Sequence, residues 1–283
     1  MRPLPPPEAV TAPAPLRQRS HGRIRLRMGR AGAATIVADL AESGPSRLRF
    51  PRTHGPMPEA VLVNTAGGIA CGDRFEVGLD LDAGSDLVLT TNAAEKIYRS
   101  DGPASAILNR VALGAGARLA WLPQETILYD RARLERRFEV DLAEGAGLLA
   151  CEIVMLGRAA SGEVFTAGAI RDRWSVRRAG RLVYADALAL AGPVAELLAR
   201  SAIGGGARAF GTILDLAPGA EARIDEARAL LDGPGDGLEA GASAWNGHLA
   251  VRLLGRDPDA LRRCAARFLA AYRREPLPRV WQA

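Results

Sequence analysis

The chain has 283 residues, of which 48% are apolar and 24% charged. That is enough to bury a sizeable core, and no apolar run approaches the roughly 18 residues a membrane-spanning helix needs. The net charge of +5 is carried almost wholly by arginine, Lys96 being the only lysine, and the arginines are spread along the chain, which argues against a dedicated nucleic-acid surface. Three distant cysteines, Cys71, Cys151 and Cys264, support neither a disulfide framework nor a paired-cysteine metal site and fit a reducing compartment.

The first twenty residues, MRPLPPPEAVTAPAPLRQRS, are rich in proline and alanine and contain no apolar run of signal-peptide length. A soluble, cytoplasmic protein is expected, with residues 1–18 a disordered arm ahead of one β-rich domain over 19–283. In RIRLRM (23–28) arginines alternate with Ile24, Leu26 and Met28, the pattern of a half-buried strand. Further short strands are predicted at 34–40, 60–65, 74–81, 86–91, 137–142, 172–178 and 248–254, joined by Gly, Pro or Asp turns. A weak repeat recurs between them: LDAGSDL (81–87), LGAGARL (113–119), LAEGAGL (142–148) and LAPGAEA (216–222). Each copy separates two apolar stretches, and its glycine suits a chain reversal with positive φ. Gly84, Gly116 and Gly145 lie about thirty residues apart, the spacing of stacked layers. The expected fold is therefore mainly β, an elongated stack of sheets resembling a β-helix.

Two helices interrupt this pattern. PVAELLARS (193–201) is short and precedes a Gly204-Gly205-Gly206 loop. DPDALRRCAARFLAAYRR (257–274) places Leu261, Cys264, Ala265, Phe268, Leu269 and Tyr272 on one face, with Asp257 as cap and Pro258 in the first turn. That face fits either a docking element or packing onto the chain's own sheet.

Three stretches carry more polar detail than a plain β-fold requires. In VLVNTAGGIACGDRFEV (61–77), Gly67, Gly68 and Gly72 precede Asp73, but the spacing matches neither a dinucleotide loop nor a P-loop. The glycines allow a sharp turn, and Asp73 either caps that turn or is aimed into space the glycines leave open. TTNAAEKIYRS (90–100) holds Glu95, Lys96 and Arg99; a compact ammonium in an arginine-rich chain suits a close pair with Asp73 or Glu95. WLPQETILYDRARLERRF (121–138) gathers Gln124, Glu125 and Asp130 around an apolar TIL, as in a binding surface or an ordinary loop. His21, His54 and His248 are isolated, so no tight metal site is expected. No GxSxG elbow is present, and Glu152 and Glu163 are available as an acid–base pair only if the fold brings them together.

NTAGGIACGD, TTNAAEKIYRS and LPQETILYDRARL, in this order, resemble the urease accessory protein D family, called H in some organisms. The likeness continues through GRAASGE and DRWSVRRAGRLVYADAL, covering about 20–190, and returns in the tail PRVWQA; it is weak over 200–245. The resemblance implies a non-enzymatic scaffold that holds urease apoprotein with accessory proteins F and G while nickel is passed to the urease site, with a homodimer compatible with that complex. It implies no tightly bound cofactor, nickel only in transit, and no membrane or nucleic-acid partner. Because a transit route must release its ion, sparse carboxylates suit it better than clustered imidazole or thiolate. Asp73, Glu95 and Glu163 are the candidates for such a passage, and Gly67, Gly68, Gly72, Lys96, Arg99, Gln124, Glu125 and Asp130 for a partner surface. Two readings from other classes are a β-helix enzyme acting on acidic polysaccharide and an arginine-rich nucleic-acid binder.

Overall fold

The computed structural model describes residues 18–52 and 57–282. The arm expected over 1–18 thus falls, but for Gln18, outside the described residues, as does His54. The strands are β1 His21–Ala31, β2 Ala34–Ser43, β3 Ser46–Arg49, β4 Glu59–Asn64, β5 Arg74–Leu81, β6 Asp86–Thr91, β7 Glu95–Ile97, β8 Ser105–Leu113 and β9 Arg118–Leu122. They continue as β10 Thr126–Leu128, β11 Arg133–Leu142, β12 Gly147–Leu156, β13 Gly168–Arg178, β14 Arg181–Gly192, β15 Ala209–Asp215, β16 Leu238–Trp245 and β17 His248–Gly255. The helices are α1 Val194–Ala199, α2 Ile224–Leu230 and α3 Pro258–Arg273. The two expected helices are present, and α2 adds a third.

Two sheets face one another. The first runs β14-β13-β11-β8-β5-β1-β2 and the second β16-β17-β15-β12-β9-β6-β4-β3, with β7 and β10 appended through β12. The chain alternates between them, so β1, β5, β8, β11 and β13 are parallel in the first sheet and β4, β6, β9 and β12 in the second. Stacked coils of this kind are reminiscent of a β-solenoid, as the repeated turns predict. Gly84, Gly116 and Gly145 have φ of 67°, 64° and 69°, a region costly for any residue with a Cβ. The turns hydrogen-bond to one another, Gly84 N–H donating to Ala115 O and Gly116 N–H to Glu144 O. The fourth copy departs from the pattern: Gly219 opens a 3₁₀ turn that leads into α2.

Among the described residues three apolar clusters result, one of them around Ile97, Leu128, Leu134, Phe165 and Val194. Ile24, Leu26, Leu79, Leu89, Val111, Leu119, Trp121, Phe138 and Val140 fill the space between the sheets. On the outer side of the second sheet, Cys151, Ile153, Ile213, Val251 and Leu253 pack with Leu261, Cys264, Phe268, Leu269 and Tyr272 of α3. Asp257 caps α3, its Oδ1 accepting from the N–H groups of Asp259 and Ala260. Burial of each large apolar side chain contributes roughly 1.5–3 kcal/mol. The apolar face of α3 therefore belongs to the chain's own core and is closed to a partner. Among the described residues no helix is long and apolar enough to cross a membrane.

Candidate functional site

The glycine-rich turn is built around Tyr98 and Asp73. A Cβ at Gly68 would lie 2.6 Å from the Tyr98 ring, while the Tyr98 hydroxyl donates to Gly67 O at 2.9 Å. Gly67 and Gly72 supply positive φ of 74° and 78°. Asp73 is buried, and both carboxylate oxygens are occupied: Oδ1 accepts from Ser20 N–H and Oδ2 from Ala70 N–H, each at 2.8 Å. The carboxylate thus ties the turn to the segment entering β1 and is not directed into a cavity.

Glu95 and Lys96 are neighbours on β7, so they point to opposite sides. Glu95 turns inward and accepts from Asn64 Nδ2 at 3.1 Å. Burial raises its pKa to about 7, against the opposing pull of Asn64 and Lys96. Lys96 is exposed, which corrects the expectation of a buried ammonium pair. Arg99 is also exposed and sits opposite Ala132 in an isolated bridge.

The polar residues expected to form a partner surface between 121 and 138 serve the chain itself. Gln124 donates through Nε2 to Val280 O at 2.6 Å and accepts from Arg262 Nη2 at 2.9 Å. Glu125 accepts from Arg262 Nε at 3.0 Å, and the Trp281 indole donates to Leu122 O at 3.0 Å. The C-terminal tail therefore lies on this motif. Asp130 staples the β12–β13 connection, Oδ1 accepting from Thr166 N and Oγ1 and from Ala167 N. Partial burial works against its charge, yet these donors and Arg131 outweigh it and hold its pKa below the usual range. Glu163 pairs with Arg158 at 2.9 and 3.2 Å. Glu163 is not among the residues lining the cavity that holds Glu95.

The strongest polar cluster is one that sequence reasoning did not single out as a unit. Arg136, Glu152 and Asp172 are 3%, 6% and 7% exposed. Arg136 donates from Nη1 to Glu152 Oε2 at 2.5 Å and to Thr126 Oγ1 at 3.2 Å. Its Nε and Nη2 reach the two oxygens of Asp172 at 3.2 and 2.6 Å. The other Glu152 oxygen accepts from Trp121 Nε1 at 2.9 Å. Burial alone would lower the Arg136 pKa, but Asp172 and Glu152 raise it, so the guanidinium is charged. Burial raises that of Glu152, and Arg136 opposes the shift. A signal existed in the alternation: Arg136 shares the inward register of Leu134 and Phe138, and Asp172 that of Ile170 and Trp174. A charge in that register must be compensated inside the fold.

Two cavities meet at this cluster. One, of about 650 Å³, is lined by four acids, Glu152, Asp172, Asp186 and Glu239, against two arginines, Arg136 and Arg252. The other, of about 70 Å³, has a lining that includes Asn64, Glu95, Asn109, Gln124, Arg136 and Glu152. Arg252 is bound to Asp186 at 2.7 Å and to the Tyr184 hydroxyl at 2.9 Å. His21 is exposed, and His248 is buried against Tyr184 and Trp245. Among the described residues no group of three or more His, Cys, Asp or Glu side chains is placed to hold a metal ion. Glu152, Asp172 and Asp186, which line the larger cavity, are each paired with an arginine.

Comparison with known proteins gives a family match to UreD urease accessory protein over residues 20–282. Urease accessory protein UreD 1 of Methylobacterium radiotolerans is 63% identical over 286 residues, covering 100% of this chain and 99% of the relative. UreD 2 of Methylorubrum populi is 62% identical, covering 96% and 93%. The UreD of Rhizobium etli is 43% identical, covering 96% and 98%. The likeness thus also spans the region where motif resemblance is weak.

Proposed function

The chain belongs to the UreD family of urease accessory proteins, and from that premise we propose that it is a scaffold for nickel insertion into urease. It acts in the cytoplasm, assembled with accessory proteins F and G and urease apoprotein, and nickel passes through its interior as cargo. As an accessory protein it is not an enzyme, which sets aside the polysaccharide-enzyme reading.

The observation that carries the nickel route is the pair of cavities, each with carboxylates in its lining, that meet at Arg136 and Glu152. The larger has an acid excess of two in a chain whose net charge is +5, which concentrates cations there. Carboxylate and amide oxygens hold Ni²⁺ less firmly than clustered imidazole or thiolate, so an ion is bound and released again. Glu95 keeps its place among the lining residues, and Glu152, Asp172 and Asp186 join it. Asp73 and Glu163 line neither cavity and are assigned to the frame.

The test is co-expression of the full chain with its partners at limiting nickel, using Glu95→Gln and Asp186→Asn. Each is expected to leave the complex assembled and to lower the nickel content of urease. Wild-type nickel content in both variants would count against an internal route.

A further inference from the structure

Arg136 and Glu152 line both cavities, and among the described residues no other does. The wall between the two spaces is therefore a guanidinium and the carboxylate it grips. The guanidinium is held on both sides, Nη1 on Glu152 and Nε and Nη2 on Asp172. Glu152 is itself fixed by the Trp121 indole. Two carboxylates surround one cation here, leaving a local excess of one negative charge in a site almost without water contact. A dication that reaches these carboxylates competes with the guanidinium for the same oxygens, at the cost of shedding part of its own hydration.

The arginine also has a place to go. Asp186 and Glu239 line the larger cavity together with Arg136, and about 650 Å³ of space there receives a swung side chain. An arginine stem has several rotatable bonds, so its head moves without displacing β11. A structural buried ion pair has no need of open space beside it, and this one has a cavity on each side.

We propose that Arg136 is a displaceable gate: its guanidinium closes the wall between the cavities while bound to Glu152 and Asp172, and a divalent cation opens it by taking those carboxylates. The head group then moves into the larger cavity and returns once the cation has left. The gate rests on the nickel-route reading above and adds to it a cause for release: the returning guanidinium competes for the same oxygens. Without that competitor the carboxylates hold a dication longer.

The experiment titrates nickel chloride alone into the full complex containing wild-type, Arg136→Met or Arg136→Lys chain, and measures nickel delivered to urease. Arg136→Met leaves two carboxylates uncompensated and is expected to add one nickel per chain, bound about tenfold tighter than any wild-type site at this position. Delivery then falls because the ion stalls. Arg136→Lys keeps the charge but reaches one carboxylate at a time, and is expected to show the same retention to a smaller degree. It is the readout that remains if the Met variant fails to fold. The neutral triple variant Arg136→Met, Glu152→Gln, Asp172→Asn is expected to lose the added binding. A folded Met or Lys variant with wild-type nickel binding and delivery overturns the gate. If Glu95→Gln and Asp186→Asn still lower delivery in that case, the route stands and the gate alone falls; if they do not, the route falls with it.

Discussion

Asp73 and Ser20, 53 positions apart, are joined by a 2.8 Å bond from the Ser20 amide to Asp73 Oδ1, while Oδ2 holds the Ala70 amide. Both partners donate, so only a side chain with two accepting oxygens satisfies them. Asp73→Ala is expected to destabilise the chain by roughly 1–3 kcal/mol, since two partly buried amides lose the acceptor they share. Asp73→Asn keeps one acceptor but turns an NH₂ toward a second donor, so it is expected to recover only part of that loss. Denaturant unfolding of the three proteins checks the order. An alanine variant as stable as wild type would remove the stapling role.

Glu95 gives a pH dependence with a definite sign. Its carboxyl is raised by burial to about 7 in the folded chain from an ordinary value of 4.5. The folded state thus holds a proton that the unfolded state has already lost. The resulting stability is complete below about 4.5 and disappears as pH rises through about 7. The contribution is roughly 3 kcal/mol. Thermal unfolding across this window should fall more steeply for wild type than for Glu95→Gln. Equal slopes would show that the carboxyl titrates normally.

The turn at Gly68 distinguishes space from backbone conformation. Gly68→Ala puts a methyl 2.6 Å from the Tyr98 ring, whereas a Cβ at Gly84 meets nothing within 4 Å and suffers only from the positive φ of 67°. Gly84→Ala is expected to cost about 1–2 kcal/mol, and Gly68→Ala more. Adding Tyr98→Ala to Gly68→Ala should return part of the loss, because the two side chains share one volume. Strict additivity in the double-variant cycle would contradict the clash.

Trp281 is 4% exposed, its indole donates to Leu122 O, and Arg262 lies over its ring at 5.5 Å. Trp281→Ala is expected to cost about 3–5 kcal/mol. Removal of everything after Arg256 takes away α3 as well and exposes the outer apolar layer. Circular dichroism should then show loss of the β fold itself. Retention of a native β spectrum by the truncated chain would show that α3 is dispensable.

The coil architecture was legible because half-buried strands alternate: β1 reads as arginines outside and Ile24, Leu26 and Met28 inside. β12 was not, since both of its faces are covered and GLLACEIVML is nearly continuous in its apolar content. Glu152 is hidden within that run. Arg136 and Asp172 lie opposite one another in the register of β11 and β13, and the facing of the two sheets sets Glu152, 16 positions from Arg136, against the guanidinium they share. The motifs drew attention to Asp73, Gln124, Glu125 and Asp130. Composition could not say whether they faced a partner or the chain's own backbone, because an unpaired amide and a foreign ligand both call for the same carboxylate. The tail's place on Gln124 is a contact across 156 positions, beyond any local pattern.

The ladder of turns at Gly84, Gly116 and Gly145 has an evolutionary consequence. Each turn bonds mainly to its neighbour in the ladder, and each successive strand repeats the pairing of the one before. A whole coil of about thirty residues is then the natural unit of insertion or deletion, since its removal lets the flanking coils rejoin in the same register. Loss of an odd number of residues from within a strand would instead turn that strand's inward side chains to the opposite face. Length variation among homologous chains should therefore gather in the connections between coils or come in whole turns of the stack, and the junction at Arg136 would move only when an entire layer is gained or lost.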